Sequence, residues 1–160
     1  MIESASRAHT RRSFHFGILA LCALAPFLGA CASGPGHADV IQRIPALEEG
    51  MGRVFFYRPS SMAGGLKPPI MVDTKRVGLA QSKGFTFADL EPGDYTVSTS
   101  TIMEHSLPIT VVAGRVKYVR LASSAGLIAG HILPSLTTEA KGKSEMSSLK
   151  YTGDMSVLTD

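Results

Sequence analysis

The chain has 160 residues, 44% of them apolar and 18% charged, with two cysteines and no tryptophan. Three of the 16 basic residues and one of the 13 acids lie before Cys31, so the remainder is almost neutral and offers no basic stripe for nucleic acid. A single cysteine beyond residue 30 excludes an internal disulfide in that remainder.

In chain order, Arg7, Arg11 and Arg12 precede an apolar run of 15 residues, Phe16 to Ala30. A membrane-spanning helix needs about 20 apolar residues, and Pro26 interrupts this one. A basic n-region, a short apolar stretch and small residues at its end describe a secretory signal peptide over residues 1–30. Leu28-Gly29-Ala30-Cys31 resembles the lipobox of bacterial lipoproteins. That resemblance implies a diacylglyceryl group on the Cys31 thiol and cleavage after Ala30. Lipoproteins retained at the inner membrane usually carry Asp after the Cys. Ala32 stands there instead, which implies the outer membrane, with the domain facing the periplasm. The "TRRSFHF" string at 10–16 resembles a twin-arginine export signal, although a general secretory n-region reads equally well.

Residues 31–50 read as the lipidated Cys and a flexible tether, since Gly, Pro and scattered polar residues show no period of 2 or 3.6. Such a tether reaches roughly 25 Å. From residue 51 to 160 one domain is expected. Strands are read at 53–58, 69–73, 76–80, 85–90, 94–101, 107–112, 115–122 and 127–133. In the first, Val54 and Phe56 face opposite to Phe55 and Tyr57, so this strand should be central and buried on both sides. Residues 138–150 suggest one short C-terminal helix with Met146 and Leu149 on one side, weakened by Gly142.

The punctuation gives turn chemistry. Glu91-Pro92-Gly93-Asp94 reads as a type II turn with positive φ at Gly93. Gly114 reads as a tight hairpin, and Asp73-Thr74 as another in which Asp73 or Lys75 takes the strained conformation. The fold class is therefore all-β: an antiparallel sandwich of about seven or eight short strands, transthyretin- or immunoglobulin-like, with a short C-terminal helix.

The ordered strings "RVFFYRPSSMAGG", "PIMVDTKRVG", "FTFADLEPGDYTVS" and "VVAGRVKYVRL", preceded by the lipobox, resemble the bacterial lipoproteins grouped as domain of unknown function 2846. The resemblance covers about residues 52–122. It implies a β-domain and a location, and no activity.

His37, His105 and His131 have no zinc spacing. The "GKS" at 142–144 lacks the earlier glycine of a P-loop, since position 137 is Thr. No Gly-x-Ser-x-Gly elbow occurs. The chain thus reads as non-enzymatic, with no cofactor and no metal. The expected function is a membrane-anchored interaction or structural module with an unidentified protein partner. The alternative is a cell-wall glycan-binding module, disfavoured by the absence of Trp and by tyrosines that look like core. If the first strand leaves the tether and runs away from the membrane, the longer connections gather at the distal end. That end would carry Arg58, Met62, Lys67, Lys83, Glu104 and His105 as a partner-binding surface.

Overall fold

A computed structural model describes residues 32–100, 104–124 and 131–159. The elements in order are α1 (His37–Ile41), β1 (Gly52–Arg58), β2 (Pro69–Val72), β3 (Lys75–Leu79), β4 (Gly84–Leu90), β5 (Gly93–Ser100) and β6 (Glu104–Val111). They continue with β7 (Val116–Ser124), β8 (His131–Thr137), α2 (Glu139–Met146), β9 (Lys150–Tyr151) and a 3-10 turn at Met155–Val157. One sheet has the order β8-β7-β1-β4-β9 and the other β3-β2-β5-β6. The all-β sandwich with a short C-terminal helix is thus the fold. Residues 127–130 of the last expected strand lie outside the described residues. The rest of that strand runs on to Thr137.

All seven residues of β1 are buried. Val54 and Phe56 enter the core between the sheets, with Ile70, Val72, Val97, Ile109, Val119 and Leu121. Phe55 and Tyr57 point the other way, into a second core with Phe85, Tyr118, Val40, Met146, Leu149 and Tyr151. Both faces of the strand are therefore apolar for one reason: period-2 alternation delivers side chains to two cores. Pro108 and Pro134 sit within β6 and β8, which are edge strands, where a missing N–H breaks no ladder and discourages edge-to-edge pairing.

Antiparallel pairing dominates, with two exceptions. β1 runs parallel to β7, and β4 parallel to β9. The first exception follows from the connection at Gly114. This glycine has φ +69°, as its turn requires, but it joins β6 in one sheet to β7 in the other. It is an inter-sheet corner and not a hairpin. The hairpin between β2 and β3 does form, and Asp73 takes positive φ (50°). Its Oδ1 accepts the Thr96 N–H at 2.8 Å.

The type II turn at Gly93 is not present. Gly93 lies in β5, paired with Val111, and its φ is not positive. The chain instead changes sheet here through a corner fixed by Tyr95, whose hydroxyl donates to Glu91 O at 3.0 Å. This is the tyrosine corner of sandwich folds.

The expected tether also belongs to the fold from Ala32 onward. Ala32 N–H donates to Ser82 O (2.9 Å), Tyr151 N–H to Pro35 O (2.9 Å) and His37 N–H to Leu149 O (3.0 Å). In α1, Val40 is fully buried, and Ile44 packs beside it. Further on, Arg53 donates to Pro45 O (3.0 Å) and makes a bidentate pair with Asp89, both contacts 2.6 Å. The physical cause is the outer face of β1 and β4. Phe55, Tyr57 and Phe85 would be bare without a covering layer, and residues 32–44, α2, β9 and Leu158 supply it. Gly142 belongs to the same logic. A Cβ there would clash with Cδ1, Cγ and Cβ of Tyr118, so the glycine lets α2 approach the sheet.

Candidate functional site

Successive strand ends sort the connections into two groups. Residues 59–68 and 80–83, with the strand ends joined by 101–103 and 125–130, form a loop end. Residues 73–74, 91–92 and 112–115 form a turn end. The expected surface residues do lie at the loop end, but they do not act as one group.

Arg58 is fully buried. Its position at the end of β1 aims the guanidinium under the 59–68 loop. Nη1 donates to Leu66 O (2.6 Å) and Ala80 O (2.8 Å), Nη2 to Met62 O (2.6 Å) and Ala63 O (2.8 Å), and Nε to Ser123 Oγ (3.2 Å). A guanidinium has five N–H donors, and all five are used. Burial lowers the pKa of this group from its ordinary value, yet an arginine remains charged at any physiological pH. Arg58 is therefore a staple that ties the longest loop to β1, the β3–β4 connection and β7. It is not a free binding cation.

Met62, Lys67, Lys83 and Glu104 are exposed, and His105 is half-buried. Lys83 has φ +57° and its carbonyl accepts the Lys150 N–H at 3.0 Å, which brings a second lysine beside it. His105 meets His131 across the sandwich mouth, ring centroids 5.1 Å apart and nearly perpendicular. His105 Nε2 and His131 Nδ1 are buried without hydrogen-bond partners among the described residues. Two edge strands of opposite sheets, β6 and β8, pack against each other here, and no sequence spacing announces the contact. Cys31 and Ala30 lie outside the described residues.

A polar network lies on the second face. Glu145 accepts from Tyr57 Oη (2.8 Å) and Arg120 Nε (2.9 Å). Burial works to raise the Glu145 pKa, but these donors outweigh it and hold the carboxyl below its usual range. Burial pushes the Tyr57 hydroxyl up, with the Glu145 contact adding to it. The cluster locks α2 onto β1 and β7. It presents a carboxylate already committed to two donors, not a base open to substrate.

The described residues include shallow depressions. One, of about 340 Å³, is lined by Ser33, Gly34, Pro35, Gln81, Tyr151, Thr152, Gly153 and Met155. Another runs along β5 and β6 past Tyr95, whose hydroxyl is already spent on Glu91. Tyr57, Tyr118 and Tyr151 are buried, so three of the four tyrosines offer no platform for a sugar ring, and Tyr95 is half-buried. Among the described residues no three His, Cys, Asp or Glu side chains converge as a metal site would require. No helix of the described residues is long and apolar enough to cross a membrane.

A family described as "Protein of unknown function (DUF2846)" matches residues 48–131, more than half of the chain. The chain belongs to that family. The match runs from just before β1 to the first residue of β8 and so takes in the loop end, the Arg58 staple and the tyrosine corner. No curated protein and no solved structure matches the chain.

Proposed function

We propose that this member of the DUF2846 family is a lipoprotein anchored through Cys31 to the outer membrane, facing the periplasm and serving as a non-catalytic interaction or structural module. The observation that carries the reading is Leu28-Gly29-Ala30-Cys31, placed after a basic n-region and an apolar run too short to span a bilayer. A stable anchor needs more than one acyl chain, which a diacylglyceryl thioether supplies. The arginine staple, the tyrosine corner and the Glu145 cluster commit their polar groups to the fold itself, which supports a rigid scaffold over a reaction centre.

The test is Cys31→Ala in the full chain. The wild-type protein should sediment with membranes after a high-salt wash and carry diacylglyceryl mass on Cys31. The variant should lose both while keeping its folded spectrum. Membrane retention of the alanine variant would end the lipoprotein reading. In-cell crosslinking of the wild-type protein then tests the module reading by identifying what it touches.

A further inference from the structure

The point at which the chain enters the fold decides which end can face a membrane. Ala32 donates to Ser82 O, and Ser82 lies in the β3–β4 connection at the loop end. Beyond it, Pro35 O accepts the Tyr151 N–H and Gly36 bridges to Lys150, so the chain is fastened through these residues. Cys31 is one peptide bond from Ala32, which sets their Cα atoms about 3.8 Å apart. No tether intervenes. Residues 32–51 instead run back along the second core to reach β1 at the turn end. With a lipid on Cys31, this path would point β1 toward the membrane, opposite to the expected orientation.

We propose that the loop end rests on the lipid surface, where Lys67 and Lys83 meet anionic phospholipid headgroups and Met62 enters the interface. This rests on lipidation of Cys31. Three observations support it. Lys83 directly follows Ser82, the residue that holds Ala32, so a cation flanks the anchor. Met62 is 56% exposed at the tip of the stapled loop. Charge also divides between the ends. The loop end presents Lys67, Lys83 and Lys150 against Glu104 and against Asp39, which shares the space beside Gly36 with the Lys150 ammonium. The turn end presents Glu48, Glu49, Asp73, Glu91 and Asp94 against Lys75, Arg76 and Arg115. An anionic surface attracts the first end and repels the second. A lipid anchor combined with neighbouring cations is the two-signal arrangement that makes attachment stable.

The absence of tryptophan gives a clean probe. Met62→Trp and Val112→Trp place single tryptophans at exposed positions of the two ends, since Val112 is 50% exposed. Each full-length chain is expressed with its leader, purified in lipidated form and incorporated into vesicles of brominated phosphatidylglycerol and phosphatidylcholine. Tryptophan at 62 should lose most of its fluorescence, and tryptophan at 112 should keep it. In Met62→Trp, adding Lys67→Glu and Lys83→Glu should weaken the quenching on anionic vesicles. Equal quenching at both positions, or stronger quenching at 112, overturns the orientation while leaving the anchor standing. Quenching unaffected by the charge reversals overturns the role of the lysines. A Cys31 without lipid mass, on protein that fails to float with vesicles, overturns the anchor and this proposal with it.

Discussion

Replacing Arg58 by Lys should cost at least as much as replacing it by Met. The arginine makes five hydrogen bonds from a fully buried position, and all five acceptors are neutral oxygens. In Arg58→Met the four carbonyls and one hydroxyl lose their donor. Those of the 62–66 loop can turn to water, but Ala80 is buried and its carbonyl cannot. One stranded buried acceptor costs about 1–3 kcal/mol, and the freed loop adds to that, so about 3 kcal/mol is expected. Lysine keeps the charge but offers three donors on a flexible stem in place of a planar fork. It leaves at least two acceptors open and an ammonium desolvated without a counter-ion, so its cost should equal or exceed that of Met. For a domain of this size about 3 kcal/mol is a fall in Tm of roughly 10 °C. Thermal and urea unfolding followed by circular dichroism would read it, with protease cleavage within 59–68 as a local readout. A lysine variant melting with the wild type would refute the staple.

Tyr95→Phe should lose about 1 kcal/mol with the hydroxyl's bond to Glu91 O, while Gly93→Ala should stay within about 0.5 kcal/mol, because its Cβ would meet the Tyr95 ring at an ordinary 3.6 Å; urea midpoints compare the two. Gly142→Ala sets two effects in opposition: helix propensity favours it by about 1 kcal/mol, but the clash with Tyr118 should outweigh this and leave a net loss of about 1–2 kcal/mol, measured the same way. His37 packs on Phe85, ring centroids 5.5 Å apart, and desolvation lowers its pKa. The neutral form is thus favoured in the fold, so stability should be full above the unfolded value of about 6.5 and fall as acid protonates the ring; His37→Gln should flatten that part of a stability-versus-pH curve.

The sandwich was legible because its strands are bounded by strong turn signals and because β1 alternates between two apolar faces. Topology was less so. A glycine at φ +69° announces a sharp change of direction at residue 114, but the local sequence does not say that the next strand joins the other sheet. The five residues of α1 and two of β9 are too short for any hydrophobic period to emerge. Gly142 looked like a flaw in a helix because its partner, Tyr118, is distant in sequence. Tyr95, four residues after Glu91, carries the signal for the tyrosine corner, yet the Pro92-Gly93 pair points more strongly to a type II turn. At the loop end, Arg58 read as a surface cation since arginines are mostly exposed. Only five carbonyl and hydroxyl oxygens converging from three segments make its burial tolerable.

The two cores divide the chain differently from the family match. The inter-sheet core lies almost wholly within residues 48–131, with Ile132 the one addition. The second core does not. Phe55, Tyr57, Phe85 and Tyr118 come from the matched stretch, but Val40, Met146, Leu149, Tyr151 and Leu158 come from either side of it. The matched strands by themselves would leave four aromatic side chains facing water, a cost of several kcal/mol at roughly 1.5–3 kcal/mol for each large apolar side chain. The flanks are therefore structural and not spacers. The leading flank is itself fastened from Ala32 onward, where its N–H donates to Ser82 O, so among the described residues no slack segment precedes the sandwich.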